Sequence, residues 1–165
     1  MRILGIDPGS RITGFGVIEA QGERVRCIAH GVIKTGGGDF SQRLGIIFSD
    51  LQGVIREHRP DEVAIESVFV SRNANSALKL GQARGAAVCA AMADGLAVAE
   101  YSPRSVKQAI VGRGSADKEQ VKHMVAVLLQ LRDEIAEDAA DALAVALCHQ
   151  HTQQTVQRMR MKLPR

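Results

Sequence analysis

Residues 3–16 read ILGIDPGSRITGFG, and the first four of them decide how the rest is folded. Ile3 to Ile6 is a short apolar run stopped by Asp7, Pro8 and Gly9. A run this short, bounded by turn formers, reads as a strand buried on both faces and ending in a turn. Asp7 then stands at a strand end, where a carboxylate can project from a sheet into a cleft. Outward from this strand, Gly14–Glu19 and Val25–Lys34 are two further strands around a turn at Gln21 and Gly22. The three together predict an antiparallel meander.

After Gly36, Gly37 and Gly38 the pattern changes. Leu44, Ile47, Phe48, Leu51 and Ile55 fall at the spacing of one helix face, and Pro60 closes the segment. Glu62–Glu66 reads as a short strand, and Ala74–Ala93, rich in Ala and Leu and stopped by Gly95, as a second helix. Leu96–Tyr101 is the last strand. Ser102 and Pro103 suit the cap and first position of a brief helix ending near Gly112. Ser115 is placed to cap a helix carrying Val121, Met124, Val125 and Leu128, and a final helix spans Ala136–Cys148. Three antiparallel strands followed by alternating helices and strands predict an α/β fold, a mixed five-stranded sheet with helices on both faces. Residues 1–155 read as one domain and 156–165 as a mobile basic tail, since Arg158, Arg160, Lys162 and Arg165 have no acid among them.

Composition narrows the function classes. The 165 residues are 45% hydrophobic but only 3% aromatic, with no Trp, so the core has to be built from Ala, Val, Ile and Leu. A net charge of +3 means that any nucleic-acid surface is local. Cys27, Cys89 and Cys148 are far apart, odd in number and without a C-x-x-C pair, which suggests buried thiols in a reducing compartment. No apolar stretch approaches the roughly 18 residues of a membrane span, and no cleavable leader is recognisable. A cytoplasmic protein without membrane contact is expected.

The chemistry lies in the acids. Asp7 and Glu66 each end an apolar strand, while Asp138 and Asp141 share a helix face at i and i+3 with Ala142 and Val145 beside them. Each has an ordinary reading as a turn former, strand-end charge or solvated helix face. If the fold gathers all four, repulsion raises some of their pKa values, and divalent cations offset it. Phosphodiester hydrolysis requires an activated water and a stabilised leaving oxygen, and two hard cations can supply both. Oxygen donors suit Mg²⁺ and Mn²⁺, whereas no His and Cys cluster points to zinc. His149 and His151, two apart, read as helix-end residues.

Around the acids, Arg72, Lys79, Arg84, Lys107, Arg113 and Lys118 lie where a phosphate backbone could be gripped, although most surface cations are simply solvated. Phe69, three residues past Glu66, is either core or a wedge stacking on an unpaired base. Gly81 and Gly85 share a helix face that would let another backbone come close. Gly9, Gly14 and Gly16 could admit a phosphate. A similar strand and turn occurs in actin-like ATPases and sugar kinases, but those need two such domains, and the G-x-x-x-x-G-K-[ST] pattern is missing.

Five segments, GIDPGSRITGFG, AIESVF, NANSALKLGQARG, VKQAIVGRGSADKEQV and DAADALAVAL, occur in an order that resembles the RuvC-type Holliday junction resolvases of bacteria. The resemblance implies a ribonuclease H-like fold and a homodimer that makes paired, symmetric nicks in strands of like polarity at a four-way DNA junction. It also implies Asp7, Glu66, Asp138 and Asp141 as catalytic, Mg²⁺-binding acids, with two ions per site and Mn²⁺ as a substitute. Phe69 would stack at the opened junction centre, and Lys107 and Lys118 would hold or neutralise phosphate near the scissile bond; Arg72 and Arg113 are read as further DNA contacts from their placement alone. Leu78, Gly81 and Gly85 would meet the partner subunit, and the branch-migration proteins RuvA and RuvB would be partners. The stretch from Gln21 to Phe40 and the tail after Cys148 depart from the family pattern.

Overall fold

A computed structural model describes residues 1–67 and 73–162. Its five strands are β1 (Arg2–Asp7), β2 (Ile12–Gln21), β3 (Arg24–Lys34), β4 (Glu62–Glu66) and β5 (Val98–Tyr101), and they lie in the order β3-β2-β1-β4-β5. β1 to β3 pair antiparallel, and β4 and β5 are added parallel to β1. This is the expected mixed sheet, with the ILGI strand in the middle. Ile3, Leu4 and Ile6 expose no surface because both faces of β1 are covered.

The alternation along β1 and β4 sorts the core into two layers. Leu4, Ile6, Val63 and Ile65 face α1 (Phe40–His58) and α2 (Ala74–Ala93), while Ile3, Ile18 and Ala64 face α3 (Pro103–Val111), α4 (Lys118–Leu128) and α5 (Glu137–Lys162). Asp7 and Glu66 continue the second parity and therefore open towards α5.

Local signals explain the helix ends. Arg59, at φ 47°, terminates α1 immediately before Pro60. Ser102 Oγ accepts the Ser105 N–H at 3.1 Å, with Pro103 in the first turn of α3, and Gly112 closes that helix at φ 80°. The cap of α4 differs from expectation. Asp117, not Ser115, accepts the Gln120 N–H at 2.9 Å, and Gln120 Oε1 returns the bond to Asp117 N at 3.1 Å, a reciprocal box that Ser115 is too early to form.

The last helix is also longer than read from the sequence. Nothing between Cys148 and Pro164 breaks a helix, so α5 continues to Lys162 and takes in the first part of the basic segment. Gln154 Nε2 bonds the Gly22 carbonyl at 3.0 Å, and Arg158 meets Glu23 at 3.1 Å, tying this extension to the β2–β3 turn. Between Ala139 and Gln150 every residue except Asp141 is buried, so α5 is a central helix rather than an amphipathic cover. Its small side chains set how close it comes. Gly5 and Gly16 face each other across β1 and β2, and a Cβ on Gly5 would stand 2.0 Å from the Ala142 carbonyl oxygen. The α5 backbone thus rests on bare strand.

Candidate active site

Parallel pairing of β1 with β4 places Ile6 opposite Ile65, so the next residues, Asp7 and Glu66, end neighbouring strands side by side. The first turn of α5 lies over them. Asp7, Glu66 and Asp141 line one cleft of about 230 Å³, and Lys107 from α3 and Lys118 from α4 line it with them. Asp138 is not on that wall, but its charge reaches both Asp7 and Asp141.

Burial pushes the Asp7 carboxyl up from 3.8 to about 8, and the charges of Glu66, Asp141 and Asp138 add to the shift. Glu66 rises to about 7, again through burial and then Asp141, with Lys118 and Lys107 opposing. Asp141 rises for the same first reason and is likewise moderated by Lys118. The site therefore takes up protons near neutrality unless positive charge arrives from elsewhere. Lys118 cannot supply enough, since its Nζ is bonded to Glu137 at 2.5 Å, which raises the lysine pKa and lowers that of Glu137.

These residues fit a hard divalent cation. The cleft offers carboxylate oxygens and no His or Cys among its lining residues, and the raised Asp7 and Glu66 values record a deficit of positive charge. Among the described residues no three such side chains are already gathered as a metal-holding group.

The glycines do something other than expected. A Cβ on Gly14 would fall 1.9 Å from the Asp138 carbonyl oxygen, and one on Gly16 would press on Leu143 at 2.6 Å, so both admit α5 rather than a phosphate. Gly9 is taken by its own turn, where Thr13 Oγ1 donates to the Gly9 carbonyl at 2.9 Å. Arg113 sits exposed on the loop between α3 and α4, outside the cleft wall. Arg84 is paired with Glu100 at 2.5 Å and Lys79 lies over the Phe40 ring, so neither faces the acids. Phe69 and Arg72 lie outside the described residues.

On α2, Leu78 is 67% exposed, and Gly81 and Gly85 have open space where a side chain would be. Cys148 is buried, with its thiol pushed up to about 11 by burial, but Cys89 is exposed, so the expectation of three buried thiols holds only in part. His149 is not a helix-end residue: it is buried inside α5 and bonded on both ring nitrogens. Its sequence context, an i+8 relation to Asp141 in an unbroken apolar helix, was the available signal.

Carboxylates at the ends of adjacent central strands, acids from a crossing helix, and lysines at the rim define a ribonuclease H-like nuclease. The comparisons agree. The family model for the crossover junction endodeoxyribonuclease RuvC matches residues 3–149. The chain is 57% identical over 154 residues, 93% of its length, to the crossover junction endodeoxyribonuclease RuvC of Pseudomonas paraeruginosa, covering 88% of that protein. It is 55% identical over 158 residues to that of Methylococcus capsulatus, covering 96% of this chain and 95% of the relative. Among solved structures, Thermus thermophilus RuvC in complex with a Holliday junction substrate superposes with a TM-score of 0.88 at 36% identity, covering 94% of this chain and 96% of that one. The yeast mitochondrial Holliday junction resolvase Ydc2 shares the fold at a TM-score of 0.71 and 13% identity, covering 96% and 82%. The chain belongs to the crossover junction endodeoxyribonuclease RuvC family, metal-dependent endonucleases that resolve four-way DNA junctions by phosphodiester hydrolysis.

Proposed function

We propose that Asp7, Glu66, Asp138 and Asp141 are the catalytic acids and hold two Mg²⁺ ions, with Mn²⁺ able to replace them. The placement of Asp7 and Glu66 at adjacent strand ends beneath the two α5 acids carries this reading. Bound there, the cations would supply Lewis-acid activation of the attacking water and stabilisation of the leaving oxygen. The protein's own contribution is to fix the acids on rigid elements and to put Lys107 and Lys118 where a phosphodiester would enter, lowering the repulsion between DNA and acids. Arg113, Arg72 and Phe69 are assigned to the DNA beyond the scissile phosphate, Phe69 stacking at the opened junction centre.

The substrate is a four-way junction, cut by paired nicks in two strands of like polarity. Paired cutting calls for two sites related by a twofold axis, and an isologous dimer provides them. Leu78, Gly81 and Gly85 form the contact, an apolar and small-residue face on α2 where Leu78 is exposed and both glycines have open space beside them among the described residues. The unit is one ribonuclease H-like domain, 1–155, whose basic segment 156–165 adds non-specific DNA affinity. RuvA and RuvB are its partners and the cytoplasm its location. No helix among the described residues is long and apolar enough to cross a membrane.

The test is cleavage of a synthetic mobile four-way junction, labelled on each strand in turn, with Mg²⁺ and with EDTA, beside a linear duplex of the same sequence. Paired, Mg²⁺-dependent nicks confined to the junction are expected. Binding without nicks, or equal cutting of the duplex, would overturn the assignment.

A further inference from the structure

We infer that His149 is a positioning residue which, with Tyr101 and Glu62, locks α5 against β4 and β5 and so holds Asp141 in place relative to Glu66. This rests on the reading of those acids as cation ligands. His149 is 3% exposed. Its Nδ1 lies 2.8 Å from the Tyr101 hydroxyl and its Nε2 2.5 Å from Glu62 Oε2, with Gln153 Nε2 reaching the same carboxylate oxygen at 3.4 Å. With Glu62 at Nε2 and the Tyr101 hydroxyl at Nδ1, the ring has a hydrogen-bond partner at both nitrogens.

The three residues close a ring through the site. Glu62 opens β4 and Glu66 ends it. Tyr101 pairs with Glu66 in the sheet register, and its carbonyl oxygen accepts from the backbone N–H of Ser67 at 2.8 Å and from Ser67 Oγ at 3.1 Å. Tyr101 therefore holds the residue next to Glu66 with its backbone and α5 with its side chain. His149 sits eight residues after Asp141 on the same continuous helix, about 12 Å along its axis.

Apolar packing seats α5 on the sheet but carries no direction of its own. The helix meets the strand glycines through Ala139, Ala142, Leu143 and Ala146. Hydrogen bonds are directional, and a slide of α5 would leave the nitrogens of the buried His149 ring unpaired, whereas Glu62, 33% exposed, keeps access to water. Sliding or tilting α5 would move Asp138 and Asp141 against Asp7 and Glu66. The His149 ring is thus a buried, directed contact of α5 that fixes its placement along β4 and β5, beside the glycine contacts that set its height.

The experiment uses the full chain without DNA, following the rise in thermal midpoint as Mg²⁺ is added, together with junction affinity in EDTA. Tyr101→Phe removes one oxygen and keeps the ring, and His149→Phe removes both bonds. His149→Gln retains a donor and an acceptor. Tyr101→Phe is expected to raise the half-saturating Mg²⁺ concentration several-fold, with junction affinity in EDTA unchanged, and His149→Gln is expected to lose less than His149→Phe. If these variants lower the midpoint but leave the Mg²⁺ titration where it was, the network is only structural and the inference is overturned. Asp7→Asn separates the two readings. If it abolishes the Mg²⁺ response while Tyr101→Phe does not alter it, the positioning role alone fails; if it leaves the response intact, the acid assignment fails and takes the positioning role with it.

Discussion

Gly14 and Asp138 are in backbone contact: no side chain fits between them, since a Cβ on Gly14 would stand 1.9 Å from the Asp138 carbonyl oxygen. Gly14 is also the residue paired with Asp7 across β1 and β2. The glycine thus sets the height of α5 above Asp7 and how near the α5 acids come to it.

Gly14→Ala is therefore expected to lift the start of α5 and separate Asp138 and Asp141 from Asp7. Overpacking of this kind costs about 1–3 kcal/mol, visible as a lower thermal midpoint, and cleavage should fall much further than stability. A variant that cuts junctions at the parental rate would show that the close approach does not matter for the site.

Asp7 supplies a pH signature in metal-free protein. Its carboxyl is raised from 3.8 to about 8, so the folded state holds a proton that the unfolded chain has lost. Stability is then highest below about pH 4 for this group and declines as pH rises towards 8, with a ceiling of about 6 kcal/mol. Asp7→Asn should flatten that decline, raise the EDTA midpoint at pH 8, abolish cleavage and spare junction binding. An unchanged pH profile would contradict the electrostatic account.

Lys118 is exposed and paired with Glu137, a surface pair worth about 0–1 kcal/mol. Lys118→Ala should leave folding intact and reduce cleavage, by about 10²-fold if it acts on developing charge. Lys107→Ala combined with it should flatten the log–log salt dependence of junction affinity by about 2. No change in that slope would place both lysines away from phosphate.

Leu78→Glu tests the α2 face. With 67% of the residue exposed, monomer folding should change by less than about 0.5 kcal/mol. Sedimentation equilibrium should shift from dimer to monomer, and nicks should become unpaired. Persistence of the dimer would move the interface elsewhere.

Much of this was legible along the chain because it is local. The ILGI run dictated a central strand whatever surrounded it, and Pro60, Gly95, Pro103 and Gly112 marked ends that the structure keeps. Asp7 and Glu66 as strand-end acids and Asp138 and Asp141 on one helix face follow from periods of 2 and 3.6 alone. The cap of α4 was misplaced by two residues because Ser115 and Asp117 both suit the role, and only the bond to Gln120 chooses between them.

Local sequence specifies the set of elements and the residue types each carries. What those elements meet is settled by packing across the whole chain. The roles of Gly5, Gly14 and Gly16 depend on α5, more than 120 residues later, lying on the strands that carry them. The tie among Glu62, Tyr101 and His149 joins residues 39 to 87 positions apart, which no local period can report. Short-range spacing follows from the covalent geometry of one helix or strand, whereas contact between distant segments follows from packing the whole chain.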